Sequence, residues 1–167
     1  TNVNGGGFYN GGSATLATTE FLSNTAGFAG GGFHNTNTGI AIITDSELRA
    51  NISLDSGGGL YDLGTTTLTD SRLISNTASF FGGGFYGDGD VTLTRTKIIS
   101  NSTAGDGGGF YNDNNVTLND SDLISNTAAD SGGGFVNTGT ATLTQTRIFG
   151  NKAGSNGGAL NHSNAVT

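Results

Sequence analysis

Carboxylates and cations recur in this chain at two positions of a regular pattern. Thr18, Asp45, Asp70, Arg95, Asp120 and Gln145 make one series; Glu20, Glu47, Arg72, Lys97, Asp122 and Arg147 make the other. Two carboxylates held in unlike environments are the equipment of general acid–base catalysis, and of glycoside cleavage above all. Here the signs alternate along most of each series, so that Asp70 precedes Arg95, Arg95 precedes Asp120, Glu47 precedes Arg72, and Asp122 lies between Lys97 and Arg147. Alternating charges on neighbouring strands form ion pairs that set register, each contributing roughly 0.2 to 1 kcal/mol. That use of the charges leaves no unlike pair of acids.

A different chemistry is open to Asp88 and Asp90 together with Asp113 and Asn115, which fall at equivalent places of two successive repeats. Four oxygen-bearing side chains from adjacent loops make a candidate Ca²⁺ site, since this hard cation takes carboxylate and carbonyl oxygens. The same residue types also build an ordinary solvated turn. His34 and His162 lie in different repeats, each without a partnering ligand, and the absence of Cys excludes disulfides, thiolate zinc sites and thiol nucleophiles. No Ser-His-Asp set, phosphate loop or metal motif is present. The expectation is a chain with no catalytic residue and no cofactor beyond that candidate Ca²⁺.

The elements that carry these residues follow from an internal repeat. Gly triplets begin at Gly5, Gly30, Gly57, Gly82, Gly107 and Gly132, and Gly157-Gly158-Ala159 closes a single array spanning 1–167, with intervals of 25 residues and one of 27. The two extra residues fit in the loop around Asn37 and Thr38. After each triplet comes an apolar residue: Phe8, Phe33, Leu60, Phe85, Phe110, Phe135 and Leu160. A second apolar column runs Leu16, Ile43, Leu68, Leu93, Leu118 and Leu143; two residues before each stands a small or β-branched residue, which is the strand period. A third runs Phe21, Leu48, Leu73, Ile98, Leu123 and Ile148. No repeat holds a run with helical spacing free of Gly or Asn. Short strands that cannot bury their inner faces alone stack as an all-β parallel β-solenoid (β-helix) of six to seven coils, about 25 residues each.

Three further columns then acquire meaning. Asn24, Asn51, Asn76, Asn101, Asn126 and Asn151 are expected at turns, where Asn tolerates left-handed backbone angles and its amide links one coil to the next. Tyr9, Tyr61, Tyr86 and Tyr111, with His34 in the same column, form an outward aromatic row suited to contact with a sugar or a protein, or to bracing the exterior. Thr67 and Thr69, Thr92 and Thr94, and Thr142 and Thr144 make a T-x-T row, interrupted by Ala17, Ile42 and Asn119.

Composition narrows the classes. Of 167 residues 31 are Gly, none is Pro, Cys, Met or Trp, and Leu, Ile, Val and Phe together make about 22%, enough for only a thin core. A net charge of −7 with six Lys and Arg argues against nucleic acid as a partner, and no apolar run is long enough for a membrane span. Counted from the triplets, Thr1 is the 22nd residue of one repeat and Thr167 the eleventh of another. Unfinished coils at both ends point to a longer array, or to other copies of the chain stacking end to end as a filament.

The strings GGGFYN at Gly107–Asn112 and TLTDSRLISNTA at Thr67–Ala78 resemble the repeats of secreted bacterial surface proteins built as right-handed parallel β-helices. They are also similar to the repeats of chlamydial polymorphic membrane proteins, autotransporter adhesins marked by GGA-aliphatic and F-x-x-N motifs; Gly157-Gly158-Ala159-Leu160 fits the first and Phe21-Leu22-Ser23-Asn24 the second. Most repeats here carry GGGF and L/I-x-x-N instead. The resemblance implies a right-handed coil and an extracellular or cell-surface, non-catalytic structural or adhesive role, with a host protein or glycan as partner. Pectin-degrading enzymes and ice-binding proteins also use solenoids, and make the alternatives for the charged columns and the T-x-T row.

Overall fold

The computed structural model describes residues 3–162, so that Thr1 and Thr167 lie outside the described residues. Every regular element in it is a strand. Each coil contributes one short strand to each of four parallel sheets. The first sheet has seven strands, from Phe8–Asn10 to Leu160–His162; the second has six, from Ser13–Ala17 to Ala141–Thr144; the third has six, from Glu20–Leu22 to Arg147–Phe149; the fourth has six two-residue strands, from Thr25–Ala26 to Lys152–Ala153. The molecule is a parallel β-solenoid of six coils and the opening strand of a seventh.

Register follows the columns. Phe85 pairs with Phe110, Leu93 with Leu118 and Ile98 with Leu123, each one repeat apart. Asn10 pairs with Asn35 but Ser13 pairs with Ile40, so the two extra residues of the long repeat sit between Asn35 and Ile40, in the expected loop. The core is a stack of like layers, with Phe or Leu, Leu or Ile, and Phe, Leu or Ile at its three main inward positions. Phe33, Phe85, Phe110 and Phe135 are fully buried, and the last three lie ring on ring at 4.7 Å for Phe85–Phe110 and 4.5 Å for Phe110–Phe135, while Phe33 stacks on Phe8 at 5.3 Å. Such offset parallel rings add to the transfer of apolar area out of water.

Three sharp corners per coil turn the chain. One is the first Gly of the triplet, such as Gly82 at φ 63°. The next residue is Gly for a different reason: a Cβ on Gly83 would stand 2.5 Å from the Gly108 carbonyl oxygen of the following coil. The second corner is occupied by Thr18, Asp45, Asp70, Arg95, Asp120 and Gln145 (φ 47° to 51°), and the third by Ser23, Ala50, Ser75, Ser100 and Ser125. The structure thus departs from the expectation for the Asn column. The left-handed residue is the one before each Asn, because a left-handed corner points its side chain to solvent whereas the Asn amide is needed inside.

Candidate functional site

Once the corners are set, the Asn column is an internal ladder. Asn76 Nδ2 donates to Asn101 Oδ1 at 3.0 Å and to the Leu48 carbonyl at 2.9 Å, and its backbone N–H donates to the same Asn101 oxygen at 2.9 Å. Asn24, Asn51, Asn101, Asn126 and Asn151 extend the same chain of amides, with Asn51, Asn76, Asn101 and Asn126 wholly buried. Every buried polar atom in this row has a partner, which is the condition under which a polar core specifies one register.

The charged columns lie on the corner before the third sheet and on that sheet. Arg95 takes Asp70 in a two-pronged grip at 2.6 and 2.7 Å, and Arg147 takes Asp122 at 2.7 Å through both prongs. Glu47 reaches Arg72 at 3.7 Å and Arg49, on its own strand, at 3.0 Å. Arg95 commits both prongs to Asp70, and Asp120 acts on it only at a distance, as Lys97 acts on Asp122. The guanidiniums hold Asp70 and Asp122 below the usual carboxylate range, the direction opposite to what a proton donor requires.

Asp88, Asp90, Asp113 and Asn115 are brought onto adjacent coils, and the side chains of Asp90, Asp113 and Asn115 bond to one another or to their neighbours. Asp113 Oδ2 accepts from the Tyr86 hydroxyl at 3.2 Å and Oδ1 from Thr138 Oγ1 at 3.0 Å, while Asn115 donates its amide N–H to Asp90 Oδ1 at 3.1 Å. Among the described residues no three His, Asp or Glu side chains stand close enough to share a metal ion.

The aromatic row runs up the outside of the first sheet. Tyr9, His34, Tyr61, Tyr86 and Tyr111 stack face to face, with centroids 5.0, 5.0, 4.9 and 5.6 Å apart and planes within 15°. Rings stacked this way cover one another's faces and offer edges and hydroxyls to the outside. Burial and the Asp113 carboxylate raise the Tyr111 hydroxyl to about 12 and push Tyr86 still higher; burial, Asp55 and Asp88 raise Tyr61. Burial lowers His34, so its imidazole is neutral at physiological pH. The row is the floor of a groove walled on one side by the residues that precede the triplets, Phe28 among them, and on the other by the loops that follow the first sheet, with Leu63 and Asp88. About 550 Å³ is open over its first half.

A second internal ladder, unassigned from sequence, backs this floor. Asn10 donates to Asn35 at 2.8 Å, Asn35 to Asp62 at 2.7 Å, and Asn112 to Asn137 at 3.0 Å. Gly87 interrupts it, and Asp62 Oδ2 and Asn112 Oδ1, on either side of Gly87, are buried without partners. The final Asn of GGGFYN is its signal, masked because Asp62, Gly87 and His162 replace it in three repeats.

Comparison with family models, curated proteins and solved structures finds no match to this chain. Its function is therefore read from its geometry.

Proposed function

We propose that the chain is a non-catalytic structural module of an extracellular or cell-surface bacterial protein: a rigid stalk that carries a contact surface along its first sheet. The observation that carries this reading is the unbroken in-register Asn ladder, running from Asn24 to Asn151 through the body of the rod. Bending or shearing between coils breaks several buried hydrogen bonds at once, each costly to leave unmade. Of the acidic and basic side chains that resemble catalytic equipment, Asp70, Asp122 and Glu47 are paired with Arg95, Arg147 and Arg72 of neighbouring coils, which supports a mechanical use. The two sets of variable loops border the aromatic row, which supports that face as the contact surface.

Stiffness is the property to measure. With the chain placed between a surface anchor and a fluorophore, the fluorophore stands off by about 30 Å, six coil spacings of ~4.8 Å, with a narrow distribution. A broad distribution, or one that shifts under weak load, overturns the stalk reading.

A further inference from the structure

The open half of the groove exists because of one column of small residues. Phe81 stands directly before a glycine triplet, and its ring lies against Tyr86 and Tyr111 at centroid distances of 6.4 and 5.0 Å. One coil earlier the same column holds Ser56, and two coils earlier Ala29, side chains too short to reach over a ring. The chain therefore fills one half of its groove with an aromatic side chain of its own. The other half, between Phe28 and Leu63 and beside Tyr9 and Tyr61 with His34 buried between them, is left open.

Charge around the groove has one sign. All six Lys and Arg stand on the third and fourth sheets or the corner between the second and third, with six carboxylates among them. The other seven carboxylates, equal in number to the net charge of −7, stand on the first sheet, on the loops bordering it or at the first residue of the next strand. Asp55 and Asp88 both act on the Tyr61 hydroxyl, and burial keeps His34 uncharged.

We propose that the groove docks an extended segment of a partner protein in which an aromatic side chain is flanked by Lys or Arg. The aromatic ring lies against the row as Phe81 does further along, and the cation lies beside Asp88 and Asp55. A neutral glycan fits less well: sugar rings pack on aromatic faces, and here neighbouring rings cover those faces. The proposal rests on the first-sheet face being the contact surface and names the partner for it.

The probe is a short, capped, fluorescently labelled peptide of alternating Arg and Phe, titrated into the folded chain. One peptide binds per chain, with affinity that falls as salt rises. Phe81→Ala uncovers the equivalent groove over Tyr86 and Tyr111, which Asp106 and Asp113 border, and raises the stoichiometry from one to two. Ala29→Phe closes the first groove. Because a larger side chain at that buried position can disturb folding, Asp88→Lys on the exposed loop is the companion variant, and weakens binding roughly tenfold at low salt. Unchanged stoichiometry in a folded Phe81→Ala chain, or equal affinity for a Glu–Phe peptide, overturns the proposal. Saturable binding of a neutral glucose oligosaccharide in place of the peptide also overturns it while leaving the contact-surface reading standing; binding of neither probe overturns both.

Discussion

Asp62 sits in a row built mainly of amides and has no proton to give the carbonyl ahead of it. Asn10 and Asn112, its counterparts, donate to the carbonyl two residues on, at 3.0 and 2.7 Å. Asp62 Oδ2 is buried without a partner, and burial raises its carboxyl despite hydrogen bonds from Asn35 and Gly64 to Oδ1 that oppose the shift. Between the ordinary carboxylate range and the raised folded value, the folded chain holds more protons than the unfolded one. Stability therefore falls as pH rises across that window, and the cost is complete above it. Asp62→Asn keeps the oxygen that accepts from Asn35 and supplies an amide for the Gly64 carbonyl. We expect it to stabilise the chain by about 1 kcal/mol at neutral pH, with the gain vanishing as pH falls below the ordinary carboxylate range. Urea midpoints of the two chains across that range check this, and a difference independent of pH contradicts it.

At the scale of the strand, stability belongs to the inward columns. Phe110 is fully buried between the rings of Phe85 and Phe135, so Phe110→Ala should cost about 3 to 5 kcal/mol. Asn114 lies in the exposed loop after that strand, and Asn114→Ala should stay within about 0.5 kcal/mol. Comparable denaturation midpoints for the two variants would contradict the register. These columns were legible in the sequence because an apolar residue that recurs every 25 positions with a strand period on either side has one place to go. Corners were less so. Ser75 and Ala50 carry no mark of a left-handed angle, whereas Asn76 and Asn51 do, and the eye assigns the angle to the wrong neighbour. Ion-pair partners were legible only as columns, since whether Arg95 grips Asp70 or Asp120 is decided by rotamers. The groove was legible least of all: it depends on Ala29 and Ser56 standing where Phe81 stands, in the stretch where the repeats agree least.

For the molecule as a whole, the two outermost coils differ from those between them. Phe8 is 38% exposed, Ile148 and Leu160 at the other end are only half-buried against the core, and the end strands of each sheet have one unpaired edge within the described residues. Open parallel edges beside bare core invite a second copy. The 167-residue chain on its own should therefore associate end to end, with a sedimentation mass that rises with concentration, and Phe8→Lys should oppose this. A monomer at high concentration with exchange-protected end strands contradicts the expectation. The equivalence of the inner coils also bears on heredity. The Asn76, Asn101 and Asn126 layers make the same bonds to their neighbours at the same distances, within 0.1 Å. A crossover between misaligned repeats of the gene, adding or removing one whole unit, joins a layer to one it already matches. Length in such a lineage is then a trait that varies in whole steps without passing through a misfolded intermediate, while the loops beside the aromatic row remain free to drift.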